Sequence, residues 1–197
     1  MITIRPFQWP NDRSEVLAID TKFETDRMFR LNKEERSIAL DEVVLISAIS
    51  KSYSLQAEME VLSQLPWVQI AHDGKRIVGV AAIEHEKWNR RARLQHLYVD
   101  RAARCQGVGR MLVEAAMIAS HTMGTRGLWV ETQTTNYPAI RFYESAGFTW
   151  CGYDASLYGA GPLSDEIAIF LWRSVGASAN IADCGQLRSV DTSTRAM

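Results

Sequence analysis

Alternating apolar and polar residues predict β-strands along most of the chain. The clearest pair is Trp67–His72 and Arg76–Glu86, which flank the dipeptide Asp73-Gly74 and therefore favour a β-hairpin with a two-residue turn. From Ile77 to Ile83 the second strand is apolar on both of its faces. We expect this strand to lie near the centre of a sheet that is covered on both sides.

The same patterns predict further elements on either side of this hairpin. Apolar residues at three- and four-residue steps indicate helices over residues 54–65, from Val108 to the glycines at 124 and 127, and over residues 138–146. In residues 38–46, acidic residues interrupt the apolar blocks, and the pattern does not separate helix from strand. Additional strands are predicted at residues 1–7, 94–99, 128–132, 148–153 and 166–172.

Length and charge narrow the class of protein. The chain has 197 residues, with 22 Lys and Arg against 23 Asp and Glu, so its formal net charge is −1. This length suits one domain, and the charge balance argues against non-specific binding of nucleic acid. No stretch reaches roughly 18 uncharged apolar residues, and residues 1–6 lack a signal-peptide core, so we expect a cytoplasmic protein without a membrane span.

The cysteines and the last residues have little regular pattern. Cys105, Cys151 and Cys184 are widely and irregularly spaced, which predicts reduced thiols and neither a disulfide framework nor a metal site. Residues from 176 onward are rich in Ser, Ala and Thr and show no apolar periodicity. We predict a folded domain over 1–175 and a disordered tail over 176–197.

A glycine-containing loop before a helix is the first indication of chemistry. Arg104-Cys105-Gln106-Gly107-Val108-Gly109 follows an apolar strand and opens the helix that begins at Val108. Glycines there let backbone N–H groups converge, and the helix N-terminus adds partial positive charge, so the loop suits a phosphate group. The motif that binds dinucleotides needs a third glycine at position 112, where this chain has Leu112, so that motif is excluded. The Walker sequence G-x-x-x-x-G-K-[ST], which binds nucleotide phosphates, does not occur either. From glycine spacing alone, a plain strand-to-helix turn remains a simpler interpretation.

Two stretches together resemble a known superfamily. The loop at 104–109 is similar to the acyl-CoA pyrophosphate loop of the GNAT superfamily of N-acyltransferases. The stretch from Asn136 to Phe148 is similar to that superfamily's second motif, N-x-x-A-x-x-F-Y-x-x-x-G-F. A looser similarity to the streptothricin acetyltransferase branch spans roughly residues 15–173. The superfamily usually has a glycine or a basic residue where this chain has Cys105-Gln106. Because the backbone of the loop binds the ligand, we expect this difference to affect binding little.

The resemblance implies a fold, a cosubstrate and a set of binding residues. The fold would be a single α/β domain with a twisted, mixed, mostly antiparallel sheet flanked by helices, and two parallel strands would part to admit acetyl-CoA. The reaction would move an acetyl group to a primary amine of a small cationic molecule, such as a streptothricin-like antibiotic or a polyamine-like metabolite. The implied cofactor-binding residues are Leu97, Tyr98, Val99, Arg104, Cys105, Gln106, Gly107, Val108, Gly109, Arg110, Asn136 and Tyr143.

Acetyl transfer also needs an acid and a base. The resemblance implies that the Tyr143 phenol protonates the departing thiolate, although Tyr143 also has the spacing of a core aromatic residue. Glu131, at the end of a strand, is the first candidate for the base that deprotonates the amine, and Glu84 is the second. A salt-bridged or solvated carboxylate remains open for both glutamates. His96 is expected to be a packed side chain rather than a base.

Other functions stay open at this level. An amine of a protein N-terminus or a lysine is an alternative acceptor, and a non-catalytic sensor of acyl-CoA is an alternative from another class. Dimers are common in such families, although the sequence contains no direct signal for one. Several acids could line a site for a cationic acceptor: Glu24, Asp26, Glu84, Glu86, Glu131 and Asp154.

Overall fold

The computed structural model describes residues 1–159 and 166–176. The strands within these residues are β1 (Thr3–Pro6), β2 (Phe23–Lys33), β3 (Ile38–Lys51), β4 (Trp67–His72), β5 (Ile77–Glu86), β6 (Arg91–Val99), β7 (Gly127–Gln133), β8 (Thr149–Asp154) and β9 (Ala168–Ser174). The α-helices are α1 (Arg13–Leu17), α2 (Met59–Gln64), α3 (Val108–Thr122) and α4 (Tyr137–Ser145).

Seven strands form one mixed sheet in the order β1-β4-β5-β6-β7-β9-β8. All neighbouring strands are antiparallel except β6 and β7, which are parallel. The predicted mixed, mostly antiparallel sheet is therefore confirmed. Its one parallel step follows from α3, which returns the chain across the sheet between β6 and β7.

Helices cover the sheet on both faces and form two cores. On one face, α3 and α4 pack against the sheet around Leu112, Ile140 and Leu171. On the other, α1 and α2 pack around Val16, Met59 and other buried residues. Strand β5 contributes to both cores, and Ile77 to Ile83 are all buried. The expectation of a central strand covered on both faces is confirmed, because its continuous apolar run satisfies both layers.

A long two-stranded hairpin, β2–β3, lies apart from the main sheet. The ambiguous residues 38–46 belong to β3, which contains no fully buried residue. Because β3 contributes only partly buried side chains, such as Leu40, to a core, selection for alternating apolar and polar residues is weak and the sequence pattern is uninformative. The hairpin docks through β2, where buried Phe29 stacks on Tyr137 at 5.3 Å between ring centroids and donates its N–H to the Thr134 carbonyl.

Two predicted elements have different bounds in the structure. The helix expected over 54–65 is helical only from Met59 to Gln64. The turn between β4 and β5 was expected to contain two residues but contains four, residues 73–76. In this turn the Asp73 carboxylate accepts the N–H groups of Lys75 and Arg76, at 2.8 and 2.9 Å. These side-chain-to-backbone bonds stabilise the longer turn, a preference that the Asp-Gly dipeptide does not reveal.

Some expectations concern residues beyond those described. The predicted tail, apart from Gly176, and Cys184 lie outside residues 1–159 and 166–176. Within the described ranges, Cys105 and Cys151 are free and exposed. No helix among the described residues has the length and apolarity needed to span a membrane.

A buried carboxylate anchors the segment that follows β6. Asp100 is 3% exposed and receives both guanidinium nitrogens of Arg76 at 2.8 Å. It also accepts the N–H groups of Asp20 and Ala102, at 3.1 and 3.0 Å. The hydrogen bonds from Arg76 hold the pKa of Asp100 at about 2, below its ordinary range. This network joins the end of β6 to the turn between β4 and β5 and to the segment around Asp20.

We expect Asp100→Asn to lower the free energy of unfolding by about 2 kcal/mol at pH 7, the equivalent of this pKa depression. The folded pKa lies below the unfolded one, so the contribution is present above about pH 4 and is lost as the pH falls toward 2. Urea denaturation of both proteins should show their difference shrinking over that range. Exposed Asp41→Asn is the control, and an equal loss in both variants would contradict the assignment.

Candidate active site

The parallel strands β6 and β7 pair over only two positions. Ala92 lies opposite Leu128 and Arg93 opposite Trp129, after which the two strands part. A β-bulge on β6 places Gln95 between the residues that pair with Ala82 and Ile83 of β5. The bulge increases the local twist and turns the end of β6 away from β7. The result is a cleft bounded by the last residues of β6, including the predicted Leu97, Tyr98 and Val99.

Unpaired polar atoms concentrate where this cleft begins. Among the described residues, three buried side-chain polar atoms have no hydrogen-bond partner: Gln95 Oε1, His96 Nε2 and Trp129 Nε1. Such atoms are uncommon in native proteins and call for an explanation, which a bound ligand would supply. All three lie at the last paired position of β6 and β7 or within three residues of it along β6.

The loop at 104–109 closes the far end of the cleft. Gly107 has a φ of +84° and caps α3, and Cys105 also has a positive φ, of 59°. The first hydrogen bond of α3 runs from Met111 N–H to the Gly107 carbonyl. The N–H groups of Val108, Gly109 and Arg110 precede that bond and are available to an anion.

The polar side chains of this loop and of the first turn of α3 donate hydrogen bonds to backbone carbonyls of the protein. Arg104 donates to the carbonyls of Val99 and Lys22, at 3.0 and 2.7 Å, and burial lowers its pKa. Gln106 donates to the Ala102 carbonyl, and Arg110 to the Ser145 carbonyl at the end of α4. The Arg104 guanidinium thus holds the loop against β6, and an anion would meet the backbone of the loop rather than that guanidinium.

Gly109 allows α3 to approach α4. A Cβ atom at this position would lie 3.1 Å from the ring of Phe142. Phe142 in turn contacts Tyr143, with ring centroids 5.4 Å apart. The glycine therefore serves helix packing as well as any ligand, and its packing role sets the position of the α4 tyrosine.

Tyr143 is buried in α4, with 7% of its surface exposed. Its ring packs edge-on against Phe142 and Phe148. Burial raises the pKa of Tyr143 above its ordinary value, and the charge of Glu131 and the nearby Tyr98 and Tyr53 raise it further. The phenol is therefore protonated at neutral pH and can donate a proton. Within the described part of the chain no hydrogen bond acts on its hydroxyl, which is thus free for a ligand.

Glu131 lies on β7 with a donor at each carboxylate oxygen. Arg93 of β6 donates to Oε2 at 3.1 Å, and the Tyr158 hydroxyl donates to Oε1. The Glu131 side chain is 16% exposed, so it is oriented by these partners yet open to the cleft. The second candidate base, Glu84, lies opposite Arg93 in the β5–β6 ladder and is exposed.

A directional chain of hydrogen bonds connects α4 to Glu131. Asn136 Nδ2 donates to the Tyr53 hydroxyl at 3.1 Å, and that hydroxyl donates to Gln133 Oε1 at 2.7 Å. Gln133 Nε2 then donates to the Tyr158 hydroxyl at 3.1 Å. The Oδ1 atom of Asn136 accepts the Ala139 N–H and caps α4. Three segments that are distant in sequence, around Tyr53, Gln133 and Tyr158, are thus joined to Glu131 by one chain of hydrogen bonds.

Sequence analysis did not identify Tyr53 as a site residue. Tyr53 follows β3, and its N–H and carbonyl both bond to the Thr21 hydroxyl, at 2.9 and 2.8 Å. The nearby Lys51 pairs with Glu166 at 2.8 Å, and Thr135 donates to the same carboxylate. In the sequence, Tyr53 stands out only as an aromatic residue in an otherwise polar stretch. This is a weak indication of a site, because the pattern around β3 did not predict a strand there.

Most of the other acids suggested by sequence lie in local ion pairs or turns. Glu24 pairs with Lys22 at 2.9 Å, and Glu86 with Arg91 at 3.3 Å. Asp154 accepts the N–H and hydroxyl of Ser156. The structure brings Glu131 into the cleft and leaves these three outside the network that orients it.

The main sheet opens where its two parallel strands, β6 and β7, part. The N-terminus of α3 lies at one end of this cleft, and the buried phenol of Tyr143 lies beside it. Such an arrangement is typical of an acyl-CoA-dependent transferase. The chain belongs to the acetyltransferase (GNAT) family, whose sequence model matches residues 26–148. It is 28% identical over 170 residues to the streptothricin acetyltransferase of Streptomyces lavendulae, covering 82% of this chain and 89% of that protein. It is accordingly an N-acetyltransferase of the GNAT type that uses acetyl-CoA as cosubstrate.

Solved structures agree with this assignment. The crystal structure of nourseothricin acetyltransferase has a TM-score of 0.78 and 27% identity, covering 88% of this chain and 98% of that one. A putative streptothricin acetyltransferase from Bacillus anthracis str. Ames, in complex with acetyl coenzyme A, has a TM-score of 0.76 and 28% identity. That match covers 88% of this chain and 99% of the other.

The residues of the cleft fit acetyl-CoA. The end of β6 lacks a neighbour on the β7 side, so its backbone can pair with the amides of an extended arm. The α3 N-terminus offers N–H groups to a pyrophosphate. When bound, acetyl-CoA supplies a thioester whose acetyl group is transferred.

Proposed function

We propose that this enzyme acetylates a primary amine of a small cationic acceptor, such as a streptothricin-like antibiotic or a polyamine-like metabolite. The observation that supports this acceptor class is the charge of the cleft. The charges of Glu131 and Glu166 raise the pKa of Tyr53, and those of Glu58 and Glu131 raise the pKa of Tyr98. Of these three carboxylates, Glu131 is paired with Arg93 and Glu166 with Lys51. Carboxylates in excess beside aromatic rings attract ammonium groups. The streptothricin acetyltransferases among its relatives support the same acceptor.

Glu131 is the proposed base. An alkyl ammonium has a pKa near 10.4, so it must lose a proton before it can attack a thioester. The carboxylate of Glu131 is held by Arg93 and Tyr158 at the cleft, where it can accept that proton directly or through a water molecule. Glu84 is more exposed and has no comparable orienting partner among the described residues.

Tyr143 is the proposed acid, and the end of β6 with the loop at 104–109 is the proposed binding site for the cosubstrate. The thiolate that leaves must gain a proton, which the buried phenol can donate. Backbone groups of Leu97 and Val99 would pair with the arm of acetyl-CoA, and those of Gly107 to Arg110 would bind its pyrophosphate. Asn136 contributes chiefly by holding Tyr53 and capping α4.

Gly107→Val should weaken acetyl-CoA binding at least tenfold in titration calorimetry. A β-branched residue strains the φ of +84° and displaces the N–H groups that open α3. Gly124→Val is the matched control, because Gly124 also has a positive φ, of +70°, and open space around it, but lies at the other end of α3. Equal affinities in the two variants would contradict the role of the loop.

One assay tests the proposed function. Purified protein is mixed with acetyl-CoA and a panel that contains streptothricin, spermidine and a lysine peptide, and thiol release is recorded. We expect release with streptothricin or spermidine. Release with the peptide alone would favour a protein acceptor, which is the class named for a relative that is 40% identical over 57 residues, the [ribosomal protein bS18]-alanine N-acetyltransferase of Salmonella typhimurium. Binding of acetyl-CoA with no release from any amine would favour the sensor alternative.

A further inference from the structure

We propose that Glu58 binds a second ammonium group of the acceptor, so that the enzyme selects amines with at least two positive charges. This inference rests on the proposed function and adds a specificity-determining residue to it. The residue comes from α2, an element that contributes neither the proposed acid nor the proposed base.

Glu58 faces the cleft from the start of α2. Its Oε2 atom lies 3.5 Å from Nε2 of His96 on β6. His96 stacks on Tyr98 with ring centroids 6.0 Å apart, and Tyr98 lies 6.0 Å from the ring of Tyr53. The carboxylate is therefore placed at one end of a row of three aromatic rings. Its side chain is 34% exposed, so it can be reached from solvent.

The charge of Glu58 is not neutralised within the protein. Glu131 and Glu166 have Arg93 and Lys51 as partners, at 3.1 and 2.8 Å. Among the described residues, the group within 4.0 Å of the Glu58 carboxylate that could bear a positive charge is His96. Burial lowers the pKa of His96 to about 4, so the imidazole is neutral at physiological pH. The Glu58 carboxylate is therefore available to bind a cation from outside the protein.

His96 provides a second, independent indication of a ligand. The residue is 5% exposed, and its Nε2 atom is buried without a hydrogen-bond partner. That atom lies 3.5 Å from Glu58 Oε2, just beyond normal hydrogen-bond length, so a small shift would let it hold this oxygen and leave Oε1 to a ligand. A buried polar atom without a partner beside a carboxylate without a cation is an arrangement that a bound substrate can complete.

Tyr98 is close enough to both carboxylates that this proposal assigns to the acceptor for their charges to act on its phenol. After burial, the charges of Glu58 and Glu131 are what raise the pKa of Tyr98, to about 12. An acceptor could therefore present its reacting amine to Glu131 and a second ammonium to Glu58 across the Tyr98 ring. Aromatic rings tolerate an alkyl chain and attract cations, which suits the linker between two amines.

The test is Glu58→Gln, with Glu60→Gln as the matched control. Glu60 lies on the same helix and is exposed. Glu58 is the N-cap residue of α2 but its side chain makes no capping hydrogen bond, so glutamine should preserve the helix. With streptothricin or spermidine, whichever the wild-type protein acetylates, we expect Glu58→Gln to raise the acceptor KM at least tenfold. We expect kcat to change less than threefold and the acetyl-CoA KM to stay constant.

A second comparison measures the charge requirement directly. The wild-type protein should prefer 1,5-diaminopentane over 1-aminopentane at least tenfold in kcat/KM, and Glu58→Gln should reduce that preference below threefold. An acceptor KM in Glu58→Gln within twofold of that in Glu60→Gln, while the wild type is active, overturns this inference alone. No turnover of streptothricin, spermidine or either amine by the wild type overturns the proposed function, and this inference with it.

Discussion

Glu131→Gln is expected to lower kcat about 100-fold with streptothricin or spermidine, since a positioned general base contributes on the order of 10²–10⁴ in rate. Glutamine keeps the shape of the side chain; its amide oxygen can accept from Arg93 and its NH2 group can donate to the Tyr158 hydroxyl, but it cannot take a proton from the acceptor amine. The measurement is steady-state kinetics with thiol release. The acetyl-CoA KM should remain unchanged, because the proposed role of Glu131 concerns the acceptor amine and not the cosubstrate.

The comparison variant is Glu84→Gln, which removes the second carboxylate considered as base. Glu84 is exposed on β5 and lies opposite Arg93 in the ladder. We expect a loss below twofold for this variant. A larger loss in Glu84→Gln than in Glu131→Gln would transfer the role of the base to Glu84. Tyr158→Phe should have an intermediate effect, because it removes one of the two donors that orient Glu131.

Tyr143→Phe is expected to lower kcat at least tenfold and to leave folding intact. The ring packs between Phe142 and Phe148, and phenylalanine preserves those contacts. Since no hydrogen bond within the described residues acts on the hydroxyl, its removal should change the free energy of unfolding by less than about 1 kcal/mol. What is lost is the proton that the leaving thiolate needs.

Tyr153→Phe provides the control for loss of a phenol elsewhere. Tyr153 lies on β8, where the Lys33 ammonium is 4.9 Å from its ring centroid, outside the cleft network. Its kcat should match that of the wild type. Wild-type kcat in a folded Tyr143→Phe protein would remove the acid role and leave Tyr143 as a core aromatic residue. Calorimetry with acetyl-CoA separates a loss of catalysis from a loss of binding.

Local sequence patterns predicted much of the main sheet and its two long helices. The apolar run of β5 is buried as its pattern indicated, and α3 buries one face that includes Leu112 and Ala116, whereas Met111 and Ile118 of the predicted apolar stripe are 39% and 70% exposed. Such patterns succeed because one face, or both, of each element enters a core and is selected for apolar residues. The loop at 104–109 could be predicted from sequence equally well, since its conformation depends on its own glycines and on the helix that follows.

The β2–β3 hairpin and the residues it brings to the cleft escaped prediction. Tyr53 and Lys51 lie about 80 or more positions from Gln133 and Glu166 in the chain, and no local pattern links them. Glu58 was likewise hidden in a stretch predicted as an uninterrupted helix. Side chains that act through contacts of such large sequence separation are visible only once the chain is folded.

By itself, the sequence determined the order of elements around the cleft, the glycine-containing loop at 104–109 and the place of Tyr143 on α4, because each depends on residues within one short segment. Only the tertiary structure decided how the cleft is charged. It showed that Arg104 is bound to backbone carbonyls, that Glu131 is oriented by Arg93 and Tyr158, and that Glu58 has no cationic partner among the described residues. The reason is physical: the charge available to a ligand is what remains after distant segments have paired with one another, and that pairing exists only in the folded chain.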